Sequence, residues 1–144
     1  MRLYHFVNRE FGLENLKKKR LKIAIIAALN DLFEFLGPSG RDPAIRNAFL
    51  GVKYGLNLST GLLCFSSIWK NPVQWSHYAD RHRGLCLGFD IPDDLIARVR
   101  YFSKRYEPDI ATLNRGGEAA QREILKALTT KYSHWRYEHE YRCF

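Results

Sequence analysis

Trp135-Arg136-Tyr137-Glu138-His139-Glu140-Tyr141-Arg142 alternates rings and charges without a break. A period of two belongs to a β-strand, whose successive side chains point to opposite faces. Trp135, Tyr137, His139 and Tyr141 then line one face, and Arg136, Glu138, Glu140 and Arg142 the other. A strand needs partners, and the chain upstream offers them. Leu3-Tyr4-His5-Phe6, Leu62 to Ser66, Leu85 to Phe89 and a segment near Val99 to Phe102 each read as a short strand. In the third, Leu85, Leu87 and Phe89 share a side, and Gly88 suggests close approach of another backbone or a ligand.

Helical signals lie between these strands. Asn8 can cap a helix running to about Arg20, with Leu13 and Leu16 facing in. Leu21 to Leu29 fits a buried strand or a helix equally well, and Asn30-Asp31 then turns the chain. Gly37-Pro38-Ser39-Gly40 is a loop. Asp42-Pro43 and Asn71-Pro72 each set a capping side chain before a proline, the arrangement that starts a helix. Ile45, Phe49 and Val52 follow one face of the first of these helices. On the second, Trp75, Tyr78, Ala79 and His82 share a face, His77, Asp80 and Arg81 take the opposite one, and Gly84 can close the helix. A turn through Asp90-Ile91-Pro92-Asp93 leads to a short helical turn. A loop through Asn114-Arg115-Gly116-Gly117 precedes a helix from Glu118 to about Lys131, with a buried stripe of Ala120, Ile124 and Leu128 and a Glu118–Arg122 pair. Short strands interspersed with helices, without a βαβ rhythm, predict an α+β fold: a single domain over 1–144 with mostly antiparallel strands.

Composition agrees with one globular domain. The chain has 144 residues, 46% apolar and 26% charged, enough to bury a core. Its longest apolar run, Ile23 to Leu29, is far shorter than the ~20 residues that span a bilayer. With no secretory signal at the N-terminus, a cytoplasmic location and no membrane partner are expected. Three scattered cysteines, Cys64, Cys86 and Cys143, argue against a disulfide framework or a zinc ribbon and for a reducing compartment. Cys64 and Cys86 read as small buried hydrophobes. The net charge of +8 favours anionic partners: a nucleotide, a nucleic acid or an acidic protein. The densest basic run, Lys17 to Lys22, points around most of a helix and reads as its solvated C-terminal end.

Three segments, near positions 2–6, 64–90 and 135–142, can carry chemistry. On the last strand Glu138 and Glu140 point the same way, roughly 7 Å apart, so each raises the other's proton affinity while Arg136 and Arg142 lower it. Such a pair can act as a general base or hold a ribose hydroxyl. The plainer reading is an exposed salt-bridge ladder. Ser66 and Ser67 end a strand and could bind a sugar or phosphate, or simply turn the chain. His77, Asp80, His82 and Cys86 include metal-ligand types, but the faces of their helix and their spacing meet no known metal site, and no metal is expected. Arg115-Gly116-Gly117 before a helix could receive an anion, though a loop and cap explain it as well.

The whole set resembles an uncharacterised bacterial and phage family classed as a domain of unknown function. The resemblance rests on Leu3-Tyr4-His5-Phe6, Asn30-Asp31-Leu32-Phe33-Glu34, Cys64-Phe65-Ser66, Trp75-Ser76-His77-Tyr78-Ala79-Asp80, Gly84 to Asp90 and Trp135 to Arg142, in that order. Leu32 stands where the family pattern tends to have proline, and the pattern runs on beyond the point where this chain ends, which implies a short member lacking C-terminal strands. More distantly, the chain is similar to ADP-ribosyltransferases, which carry an early basic residue, a serine on a middle strand and a late Glu-x-Glu. That likeness implies NAD as substrate, with Glu140 as catalytic carboxylate and Glu138 assisting. It further implies Arg2 or His5 as dinucleotide anchor, Ser66 and Ser67 at the ribose, and Trp75 or Tyr78 stacked on nicotinamide. An ADP-ribosyltransferase or NAD glycohydrolase of this kind would suit a toxin or phage-defence effector. Two other readings compete: a non-catalytic basic module for nucleic acid or an acidic protein, and a hydrolase or nuclease using His77 and Asp80.

Overall fold

The structure is a computed structural model that describes residues 1–26, 43–104 and 106–144. In chain order its elements are β1 (Arg2–Val7), α1 (Arg9–Lys18), β2 (Ala24–Ile25), α2 (Pro43–Ser59), β3 (Gly61–Ser66), α3 (Pro72–Tyr78), β4 (Leu85–Asp90), β5 (Ala97–Arg98), β6 (Arg100–Phe102), α4 (Ile110–Arg115), α5 (Gly117–Leu128), β7 (Thr130–Tyr132) and β8 (Glu140–Cys143). A single 3-10 turn covers Asp93–Leu95, and a 3-10 segment of two turns covers Ser133–Glu138. The class is α+β with mostly antiparallel strands. The turn at Asn30-Asp31, the loop at Gly37–Gly40, the Asp42 cap and the motif from Asn30 to Glu34 lie outside the described residues, as do the side chains of Ile45 and Phe49.

The chain groups into two compact units: Met1–Ile23, Leu62–Val99 and Trp135–Phe144 form one, and Ala24–Gly61 with Arg100–His134 the other. The first is built on a sheet of order β4-β1-β3-β8-β5, antiparallel at every step. Register is continuous from Arg2↔Asp90 to Val7↔Leu85 and from Leu63↔Cys143 to Ser66↔Glu140. Opposed residues of an antiparallel pair share a face. Arg2, Tyr4, Gly88, Ser66, Glu140 and Arg142 therefore belong to one face, and Leu3, His5, Phe65, Leu87, Phe89 and Tyr141 to the other. The second face is the apolar one: Leu3 and Phe65 are buried, and Phe65 meets Phe89 edge-on at 5.9 Å and His5 at 5.8 Å.

Asn8 caps α1 by accepting from Phe11 N at 2.8 Å, and Lys19 ends the helix in the left-handed region. Leu13 and Leu16 do not face in: they are 52% and 59% exposed, and the buried positions are Gly12 and Asn15. A Cβ on Gly12 would sit 2.6 Å from Leu85 Cδ1 and 3.0 Å from Val7 Cγ1, so the helix docks through its smallest residue. On the sheet's other side, Trp75 of α3 meets Phe6 edge-on at 5.4 Å. The close approach expected at Gly88 occurs instead at Gly84, where a Cβ would lie 2.2 Å from the Val7 carbonyl oxygen. Helix α3 ends earlier than its apolar pattern implies. Asp80, Arg81 and His82 take φ of 46°, 53° and 68°, three successive left-handed residues without a glycine. Each costs about 1–2 kcal/mol relative to a right-handed residue. Gly84 N donating to Ala79 O at 2.7 Å closes the turn.

In the second unit β6 and β7 pair in parallel, Arg100↔Thr130 to Phe102↔Tyr132. The loop expected through Asn114 is partly a helix: Asp109 accepts from Ala111 N and Thr112 N, which starts α4 and carries it to Arg115. Helix α5 stops at Leu128 rather than Lys131, with Ala120, Glu123, Ala127 and Leu128 buried and Glu118 paired to Arg122 at 3.3 Å. No helix among the described residues is long and apolar enough to cross a membrane.

Candidate functional site

The largest departure from the alternating pattern falls on the segment that carries both glutamates. Ser133–Glu138 is a 3-10 segment, His139 is left-handed with φ 46°, and only Glu140–Cys143 is strand. The cause is visible in the carbonyls of Tyr137 and Glu138, which side chains occupy before any neighbouring strand can. Asn71, while accepting from Val73 N to cap α3, donates Nδ2 to Tyr137 O at 2.9 Å. Gln74, one helical turn on, places Nε2 at 3.1 Å from Tyr137 O and 2.6 Å from Glu138 O. The Ser66 hydroxyl donates to Glu138 O at 2.6 Å and accepts from Ile68 N. Ser67 N reaches His139 O at 3.1 Å.

The result is a buried polar seam, not an exposed ladder. Glu138 and Glu140 are each 5% exposed and Arg142 is 1% exposed, whereas Arg136 is exposed. Tyr78, from the last turn of α3, donates its hydroxyl to Glu138 Oε1. Arg142 holds Glu140 with both ends of its fork, Nε to Oε1 at 2.8 Å and Nη2 to Oε2 at 3.2 Å. Burial this deep favours the protonated form of a lone carboxylate; a bidentate guanidinium opposes that and fixes the carboxylate's plane. Gln74 Oε1, also buried, accepts no hydrogen bond from the described residues.

The other predicted residues fall into place around this seam. Across the sheet Gly88, Tyr4, Ser66 and Glu140 stand in one row, and the Arg2 guanidinium and Tyr4 ring lie just over Gly88, 3.5 Å from where its Cβ would be. Arg2 itself is paired with Asp90 at 2.5 and 2.6 Å on the exposed edge. Their hydrogen bond raises the guanidinium pKa and holds the carboxyl below the usual range. His5 is on the opposite face. Its Nδ1 lies 2.9 Å from the Cys64 carbonyl and must carry the hydrogen, and burial lowers its pKa, so the ring is held neutral. Trp75 donates Nε1 to Trp69 O at 2.6 Å. His77 is exposed against Tyr78, Trp135 and Tyr137, while Asp80 is bound to Arg83 at 3.1 Å, so the two enter separate interactions. Among the described residues no group of three or more His, Cys, Asp and Glu converges on a point that could hold a metal. None of the three cysteines is in a disulfide, and burial lifts the Cys86 thiol to about 11.

Asn71 as a cap and Arg142 as a cation acting on the glutamates are legible in the sequence; Tyr4, Gln74 and the bond from Asn71 to the Tyr137 carbonyl are not. The α3 residues did leave a signal: Asn71, Gln74 and Tyr78 stand three and four apart, which puts them on one side of a helix. Tyr4 becomes visible only through register.

Residues 74–143 match the model of a family described as "Protein of unknown function (DUF2971)", in keeping with the resemblance to an uncharacterised family. The matched span begins at Gln74 and takes in Tyr78, Glu138, Glu140 and Arg142. No curated protein and no solved structure matches the chain.

Proposed function

We propose that the protein binds NAD against the polar face of its sheet and breaks the bond between nicotinamide and ribose. The observation that supports this reading best is Glu140, buried and held in one orientation by Arg142 directly across from Ser66. In the reaction the C1′–N bond breaks, its electron pair leaves with neutral nicotinamide, and positive charge develops on C1′ and the ring oxygen. A fixed carboxylate beside C1′ stabilises that charge, by an amount that the Arg142 guanidinium on the same carboxylate reduces. Water then adds to C1′ and loses a proton, giving ADP-ribose; a nucleophile on another molecule would accept ADP-ribose instead. Glu138, fixed by the Tyr78 hydroxyl, is the second carboxylate available to a ribose hydroxyl. Ser66 acts by holding the Glu138 carbonyl, and Ser67 flanks it. Of the two candidate anchors, Arg2 suits a pyrophosphate better, because it is exposed, charged and on the Glu140 face, whereas His5 is neutral and on the other. Tyr78 rather than Trp75 is the ring nearer to the carboxylates.

The experiment is nicotinamide release from NAD, followed by chromatography, for the wild type and Glu140→Gln, with NAD affinity measured by calorimetry on both. The expected result is release by the wild type alone, with NAD binding retained in a folded variant. A wild type that neither binds NAD nor releases nicotinamide would overturn the reading.

A further inference from the structure

We propose that the end of α3, the left-handed turn after it and residues 135–137 of the 3-10 segment form a binding surface for single-stranded nucleic acid. This surface does not depend on the glycosidic reading, since none of its residues is one of the two glutamates. Its rings form a tilted cluster. The exposed His77 ring lies 6.5 Å from Tyr137 at an interplanar angle of 27° and 6.4 Å from Trp135, and Trp135 and Tyr137 are 6.0 Å apart. Its cations are set close by. Arg136 is exposed between Trp135 and Tyr137 in the chain, and Arg81 and Arg83 are exposed in the turn. That turn folds back on the helix, with Arg81 N reaching Ser76 O at 3.3 Å and His82 N reaching Trp75 O at 3.1 Å, on the residues just before His77. The acid of the turn, Asp80, is bonded to Arg83.

The backbone adds a second observation. Ending a helix takes one left-handed residue, usually a glycine. Here three in a row are left-handed and none is a glycine, and the strained stretch is Asp80-Arg81-His82. Strain of this kind persists where the surroundings over-determine it, and it is concentrated where side chains must be presented in fixed positions. Rings with cations beside them suit a strand whose bases are free to stack while its phosphates meet the cations. A duplex keeps its base faces covered, and an acidic peptide would use the cations without the rings. The single strand is the ligand that uses both.

The test is fluorescence anisotropy of a labelled twelve-residue oligothymidylate at several salt concentrations, with the matching duplex and polyglutamate as competitors. His77→Ala is expected to weaken binding about five- to fifty-fold at every salt concentration, as loss of a stacked base would. Arg81→Ser and Arg136→Ser should each lower the slope of log affinity against log salt by about one. Lys17→Gln, on the exposed end of α1, should leave affinity within about twofold and so separates this surface from bulk charge. Thermal melts identify any variant that has lost its fold, and His77→Tyr, which keeps a ring, should bind nearly as the wild type does. Equal affinity for the duplex, equal competition by polyglutamate, or His77→Ala indistinguishable from wild type would each overturn the proposal.

Discussion

Glu138 and Glu123 are both buried glutamates that accept a hydrogen bond from a tyrosine hydroxyl, but the two are assembled from opposite ends of the range of chain separation. Tyr78 reaches Glu138 across 60 residues, and the carbonyl of the same glutamate is held by Ser66 and Gln74, 72 and 64 residues away. Glu123 draws on Tyr106, Asp109 N and Lys126, all within 17 residues. The first set exists only once strand, helix and turn have met. The second can form within a helix pair and the segment leading into it, where it also lines an open cavity of about 550 Å³ with Thr112 and Arg122. Distance along the chain thus separates a polar cluster that positions groups from one that secures a local junction.

The sharpest way to break the comparison is to remove one cation from each unit. Arg142→Met should destabilise the protein by about 3–5 kcal/mol in urea unfolding, because it takes the bidentate guanidinium from a buried carboxylate, and adding Glu140→Leu should recover most of the loss. Lys126→Met, which removes a side chain 62% exposed, should cost under ~0.5 kcal/mol. Equal effects would mean that the buried Glu140–Arg142 pair contributes no more than the exposed Lys126–Glu123 one. Next in size is Gln74→Leu. It deprives Ser66 Oγ and two carbonyls of a donor, and should cost about 1–3 kcal/mol and lower the melting temperature. The smallest effect concerns acid. The Tyr106 hydroxyl, then the Asp109 amide, hold the Glu123 carboxyl below its ordinary 4.5. A depressed folded value contributes stability that is complete above 4.5 and drains away as pH falls through the folded value. Melting temperatures between pH 7 and pH 3 should therefore fall less steeply for Glu123→Gln than for the wild type, and parallel curves would show that this carboxylate carries no such term.

Much of the fold could be read from short signals because the groups that decide it are neighbours. Asn8 and Asn71 cap their helices as read, and Leu62 to Ser66 and Leu85 to Phe89 are strands as read. Asp109 with Thr112 is a cap of the same kind, readable but passed over. What failed was set by distant partners. Ring–charge alternation from Trp135 to Arg142 satisfies a strand, yet Asn71, Gln74 and Ser66 claim two of its carbonyls and leave only the last four residues of the chain's sheet contact, Glu140–Cys143, in register. Leu13 and Leu16 look inward by period, but Gly12 lets Leu85 and Val7 come so near that the helix docks on a narrower stripe. The two glutamates were legible as a pair. Their burial and their separate partners were not, because register and helix docking decide both.

Where β1 meets β3, Tyr4 and Ser66 are the one opposed pair among the described residues, while β1 runs beside β4 along its whole length. The His5 imidazole, donating to the Cys64 carbonyl, bridges the same join with a side chain. In mechanical terms the sheet is two plates held by a rivet and a latch. Deuterium should enter the amides along this join sooner than those shared by β1 and β4. Because Tyr4, Ser66 and Glu140 stand in the row that crosses it, the line along which the sheet yields most readily is also the line on which its polar face is aligned.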